Sequence, residues 1–146
     1  MIYTFETTGV QNTMMTGMWL AQSLKGGEVL LLEGDLGAGK TVFAKGLALG
    51  LGVQTTVTSP TFVLCNSYEG NALKLHHFDF YRLNSEDEAE ELGLEELFGA
   101  SNAVCAVEWA SKIPSYLPES YATVTIEKLG ENRRKITIRT PFEVKL

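Results

Sequence analysis

The sequence predicts an α/β fold, with a mostly parallel central sheet flanked by helices and an antiparallel β-hairpin at the C-terminus. Three observations carry this. A glycine-rich loop at 34–41 stands between a short apolar run and an amphipathic helical pattern. A second apolar run, Ala103-Val104-Cys105-Ala106-Val107, lacks the polar alternation of a half-exposed strand and reads as a strand covered on both faces. Two alternating runs, 121–128 and 135–140, flank a glycine-containing turn and read as a hairpin.

The loop is Gly34-Asp35-Leu36-Gly37-Ala38-Gly39-Lys40-Thr41, which fits the pattern of Gly, four free positions, Gly, Lys and Thr. Glycines let the backbone turn with positive φ and bring bare N–H groups close to an anion. Lys40 supplies a point charge for phosphate oxygens, and the Thr41 hydroxyl suits Mg²⁺. The apolar run 29–32 reads as the strand entering the loop, and 40–51 as the helix leaving it, stopped by Gly50 and Gly52. A helix starting there aims its positive dipole end at the phosphates. A glycine-rich turn joining strand to helix is the alternative, but the Lys-Thr pair in this order favours a P-loop NTPase fold.

The chain has 146 residues, enough for one domain with a core, and a single domain spanning 1–146 is expected. Its composition, 45% hydrophobic and 21% charged, is that of an ordinary globular protein. The longest aliphatic run, 29–32, is too short to span a bilayer, and the first residues lack a signal-peptide pattern. A cytoplasmic protein is expected. A net charge of −6 argues against a general nucleic-acid-binding surface. Cys65 and Cys105 lie far apart without metal-ligand spacing and read as reduced thiols.

Along the chain, 1–7 alternates weakly and suggests an edge strand. Residues 11–24 read as a helix whose apolar side holds Met14, Met15, Met18, Trp19, Ala21 and Leu24. Pro60 and the surrounding hydroxyl residues at 53–62 suggest a loop. Residues 63–69 and 72–82 read as a hairpin joined at Gly70-Asn71. Alternation in its second strand puts His77, Asp79 and Tyr81 on one face and His76, Phe78, Phe80 and Arg82 on the other. A single buried, hydrogen-bonded role is the default for each histidine. Ser85 followed by Glu88 forms a capping-box pattern, opening an acidic helix that Gly93 interrupts.

Two carboxylates draw attention. Asp79 is costly to bury in so apolar a strand without a cation or metal. Glu108 ends the 103–107 run, where ligands of open α/β sheets bind, and there it can hold Mg²⁺ directly or through water. The basic cluster Arg133-Arg134-Lys135 reads as a solvated turn, with phosphate, adenine or partner contact as alternatives.

GDLGAGKT at 34–41, Thr58-Ser59-Pro60-Thr61-Phe62, His77-Phe78-Asp79-Phe80-Tyr81-Arg82, Glu91-Leu92-Gly93 and Val107-Glu108-Trp109 stand in an order that closely resembles the TsaE (YjeE) family. The resemblance runs from about residue 27 to 109. It implies a small phosphate-loop fold that binds and slowly hydrolyses ATP with Mg²⁺. It also implies work with TsaD and TsaB, which transfer threonylcarbamoyl to adenosine 37 of tRNA, so that tRNA is met only through the complex. Residue by residue, it implies phosphate binding by Leu36 to Thr41, Mg²⁺ ligation by Thr41 and Glu108, and a catalytic or metal-shell role for Asp79. Trp109 would sit beside the nucleotide, the 58–62 loop would act as a switch-like segment, and the C-terminal hairpin would help hold adenine. Val42 stands where many family members have a second Thr. A small-molecule kinase and a nucleotide-gated binding module are the competing classes. No Asn-Lys-x-Asp segment for reading guanine is present.

Overall fold

The structure is a computed structural model that describes residues 1–60 and 64–145. Its elements run β1 (Ile2–Thr8), α1 (Gly9–Ala21), β2 (Val29–Glu33), α2 (Lys40–Leu51), β3 (Cys65–Glu69) and β4 (Lys74–Asp79). A 3₁₀ segment (Glu86–Leu92), α3 (Leu94–Leu97) and β5 (Ala103–Glu108) follow, then 3₁₀ turns at Ala110–Lys112 and Pro114–Tyr116, then β6 (Ala122–Lys128) and β7 (Arg133–Arg139). The seven strands form one sheet in the order β1-β7-β6-β2-β5-β4-β3. The four central strands, β6-β2-β5-β4, are mutually parallel. β7 and β1 add antiparallel on one side and β3 on the other. The C-terminal hairpin is therefore part of the main sheet, because β6 pairs directly with β2.

Continuous apolarity in β2 and β5 follows from burial on both sides. Leu30, Leu32, Val104 and Ala106 face α1 and α2 and pack with Phe43, Leu47, Ile136 and Ile138. Val29, Leu31, Cys105 and Val107 face the opposite way, onto Phe78, Phe80, Leu94, Phe98 and Ile113. Both long helices lie on the first face, and short 3₁₀ and helical turns cover the second.

Of the apolar side expected for the first helix, Ala21 and Leu24 lie in the core and Trp19 packs against it, but Met15 and Met18 do not. Its buried face runs through Thr13, Thr16, Gly17, Leu20 and Ala21, whereas Met15 is 61% and Met18 38% exposed. The cause is the closeness of α1 to α2. A Cβ on Gly17 would lie 2.5 Å from the Phe43 carbonyl oxygen, and one on Gly46 would lie 2.1 Å from that of Met14. So tight a seam admits small residues and turns Met15 and Met18 outward. Gly50, expected as a stop, belongs to this seam, where a Cβ would meet the Ala21 methyl at 2.6 Å. Gly52 is the left-handed residue that ends α2.

Other boundaries shift for local reasons. The hairpin of β3 and β4 pairs Glu69 with Lys74, so its loop is four residues rather than Gly70-Asn71 alone. Residues 61–63, where the start of that strand and part of the 58–62 loop were expected, lie outside the described residues. The acidic segment is 3₁₀ rather than α up to Gly93, whose φ of +70° breaks it from α3. Ser85 makes no side-chain cap, and the Glu88 carboxylate accepts from the Asn84 N–H instead.

Gly46→Ala sets about 1 kcal/mol of gained helix propensity against backbone overpacking that costs about 1–3 kcal/mol or more. Net destabilisation is expected as a lower urea midpoint, while Gly130→Ala, whose Cβ would meet nothing within 4 Å, leaves the midpoint unchanged. Burial pushes the Cys105 thiol up to about 12. A thiol reagent at pH 8 is expected to spare Cys105 in the native protein and modify it after unfolding.

Candidate functional site

The parallel register brings three strand ends to one level. Leu32 of β2 and Asp79 of β4 both pair with Glu108 of β5. β2 runs directly into the glycine loop, and the loop turns into α2 at Lys40. Gly39, with φ +115°, makes that entry in a conformation that side-chain-bearing residues rarely adopt. Gly34 allows a close approach to β6, where a Cβ would lie 2.6 Å from the Ile126 carbonyl oxygen.

Above the strand ends lies a cavity of about 440 Å³. Leu36, Gly37, Gly39, Lys40, Thr41, Asp79, Glu108 and Trp109 line it, together with Val42, Ser59, Tyr81 and Arg82. Of the residues expected at a site, Gly34, Asp35 and Ala38 are absent from this lining. They border a groove against Thr125–Lys128 on the far side of the loop.

Lys40 is buried, and its Nζ lies 4.1 Å from the centre of the Trp109 ring. Burial draws its ammonium below the usual lysine value, while Glu108, Asp79 and Asp35 pull the other way. Trp109 adopts a left-handed backbone, φ +59°, and its ring also packs against Tyr81 at 5.0 Å. The left-handed conformation is unusual for a bulky residue and lies next to the site. Asp79 accepts from the Tyr81 N–H at 3.0 Å and from the Ser59 hydroxyl at 3.4 Å. Glu108 is only 4% exposed, and its Oε2 lies 2.6 Å from His77 Nε2.

The donor set suits a hard cation, since Thr41, Ser59, Asp79 and Glu108 all offer oxygen. Among the described residues no three His, Cys, Asp or Glu side chains cluster to hold a metal by themselves.

Strand alternation misplaces Arg82. β4 ends at Asp79, the chain turns, and Arg82 lines the same cavity as Asp79 rather than the opposite face. A strand-ending turn cannot be read from alternation alone. Sequence reasoning also leaves unmarked a second cavity, about 220 Å³, lined by Gly9, Val10, Thr13, Glu131, Asn132 and Arg134. It shares Gly37, Gly39 and Val42 with the first. Arg134 donates from Nε to the Ala38 carbonyl at 2.8 Å and ties the C-terminal hairpin to the loop.

A glycine loop between a central parallel strand and a helix, with acids at the neighbouring strand ends of one seven-stranded mixed sheet, defines a protein of the α/β class. The family model for "Threonylcarbamoyl adenosine biosynthesis protein TsaE" matches residues 7–136. A Bacillus subtilis protein named "tRNA threonylcarbamoyladenosine biosynthesis protein TsaE" is 44% identical over 133 residues, 91% of this chain and 82% of the relative. A Treponema pallidum protein of the same name is 43% identical, covering 88% of this chain and 93% of its own length. The crystal structure of Bacillus subtilis YdiB superimposes with a TM-score of 0.81 at 38% identity, over 94% of this chain and 84% of that one. This chain belongs to the TsaE family. No helix among the described residues is long and apolar enough to cross a membrane.

In a Trp19→Phe background, indole emission reports Trp109 alone. Lys40→Ala is expected to change its intensity, because the cation over the ring is lost, while far-UV circular dichroism stays constant. Unchanged emission would place the ammonium elsewhere in solution.

Proposed function

We propose that this chain acts in the threonylcarbamoyladenosine modification of tRNA, as an ATPase that binds Mg²⁺-ATP and hydrolyses it slowly. The proposal includes action on the TsaD–TsaB pair, with tRNA met only through that complex. Family membership supports the pathway. The observation that carries the chemistry is the convergence of Lys40, Thr41, Asp79 and Glu108 on one cavity at the carboxyl ends of parallel strands.

In this reading the loop from Leu36 to Thr41 and the start of α2 hold the phosphates through backbone N–H groups and the Lys40 ammonium. Mg²⁺, held by Thr41 and Glu108, would neutralise charge on the phosphate oxygens. Asp79, steadied by Ser59 and the Tyr81 N–H, orients the attacking water and accepts its proton. Phosphoryl transfer needs positioning and charge neutralisation more than covalent chemistry. Arg82 borders the same cavity and is a cation within the chain able to meet developing charge. The nucleoside extends past the loop into the second cavity, where Arg134 and Asn132 border it. Exposed Leu36 and Tyr81 on the rim offer an apolar landing for a protein partner.

ATP hydrolysis by the purified chain, alone and with TsaD and TsaB, tests this. Weak turnover that rises with partners and disappears in Lys40→Ala is expected. Asp79→Asn is expected to lower kcat by about 10²–10⁴, the usual worth of a positioned proton acceptor. Turnover identical with and without the partners would leave the phosphate-loop chemistry intact and sink the partner assignment.

A further inference from the structure

His77 stands on β4 opposite Ala106 of β5 and is fully buried. A carboxylate only accepts hydrogen bonds, so at 2.6 Å His77 Nε2–H donates to Glu108 Oε2. The other ring nitrogen, Nδ1, is buried without a hydrogen-bond partner among the described residues. A buried polar atom left unpaired opposes folding, and an apolar side chain would fill this position, next to Phe78 and near Leu75, without that cost. Packing therefore does not account for an imidazole here, whereas the bond to Glu108 does.

Glu108 has a reason to need holding. Lys40 lines the same cavity and attracts its carboxylate. Left to rotate, the glutamate would swing toward the ammonium and neutralise the charge that phosphates require. The hydrogen bond from His77 keeps Oε2 on the sheet side and leaves Oε1 as the oxygen not engaged by the imidazole.

We propose that His77 is a positioning residue for Glu108, holding its carboxylate ready for the divalent cation of a bound nucleotide and away from Lys40. The inference rests on the Mg²⁺-nucleotide reading above. It adds a residue that touches neither nucleotide nor cation, in the manner of the outer partners that orient metal ligands elsewhere.

The test uses Mn²⁺ as the probe, with its affinity for the ADP-loaded full chain followed by electron paramagnetic resonance. Metal-free ADP affinity is measured separately in EDTA. His77→Leu is expected to weaken Mn²⁺ binding about 10- to 100-fold while ADP affinity in EDTA stays within about twofold. His77→Gln keeps an N–H donor and is expected to recover most of the loss. A fall in ADP affinity without metal that matches the fall in Mn²⁺ affinity would mean a structural role only, and wild-type Mn²⁺ affinity in both variants would overturn the proposal. If His77→Leu does not fold, ¹⁵N-labelled wild type decides. The His77 Nε2–H resonance should move on adding Mg²⁺ to the ADP complex, and a stationary resonance overturns the inference. A wild-type chain that binds neither ADP nor Mn²⁺ would instead bring down the underlying ATPase reading.

Discussion

Parallel pairing of β2, β5 and β4 is the constraint on which the rest of this structure depends. With Leu32, Glu108 and Asp79 held at one level, the strand ends form a common floor beneath the glycine loop. A slip of one residue in β5 would turn Glu108 away from Lys40 and toward the Phe78 and Ile113 cluster, because successive side chains point to opposite faces. Burial on both sides forbids that slip. Ala103, Val104, Cys105, Ala106 and Val107 each have a filled place, and the one carboxylate of the strand sits at its end.

The loop is braced from three directions. Below it, β2 carries the chain in. Behind it, α2 packs on α1 so closely that glycines at 17, 46 and 50 form the seam. On its outer side, β6 approaches Gly34, and Arg134 of β7 grips the Ala38 carbonyl. A loop fixed on several sides has little conformational freedom left to lose on binding.

Buried threonines and Ser23 lie elsewhere in the fold, but among the described residues the buried acidic and basic side chains gather in one place. Lys40, His77 and Glu108 are buried together at the strand ends, with Asp79 half-buried beside them. Charges so placed carry a desolvation cost, and the lowered tendency of Lys40 to hold its proton is its visible mark. Opposite charges around Lys40 offset part of that cost, and an incoming phosphate group would add to the compensation. A site of this kind is less stable than an apolar core and more ready for an anion.

Much of this was legible in the chain. The glycine loop, the flanking strand and helix, the continuous apolarity of β5, the edge strand β1 and the alternating C-terminal runs are local patterns, each following from side-chain period and turn chemistry. Lys40 and Thr41 came with the glycine-loop pattern, Glu108 with the rule that ligands of such sheets bind beyond the strand ends, and Asp79 with the family resemblance. Tertiary structure alone decided the outward turn of Met15 and Met18, the presence of Arg82 in the cavity and the second cavity beside Arg134. It also decided the pairing of His77 with Glu108, 31 positions apart in the chain. Each depends on the distance between elements or on where a strand stops. Periodicity records which side of an element is apolar, but it does not record how near the neighbouring backbone comes.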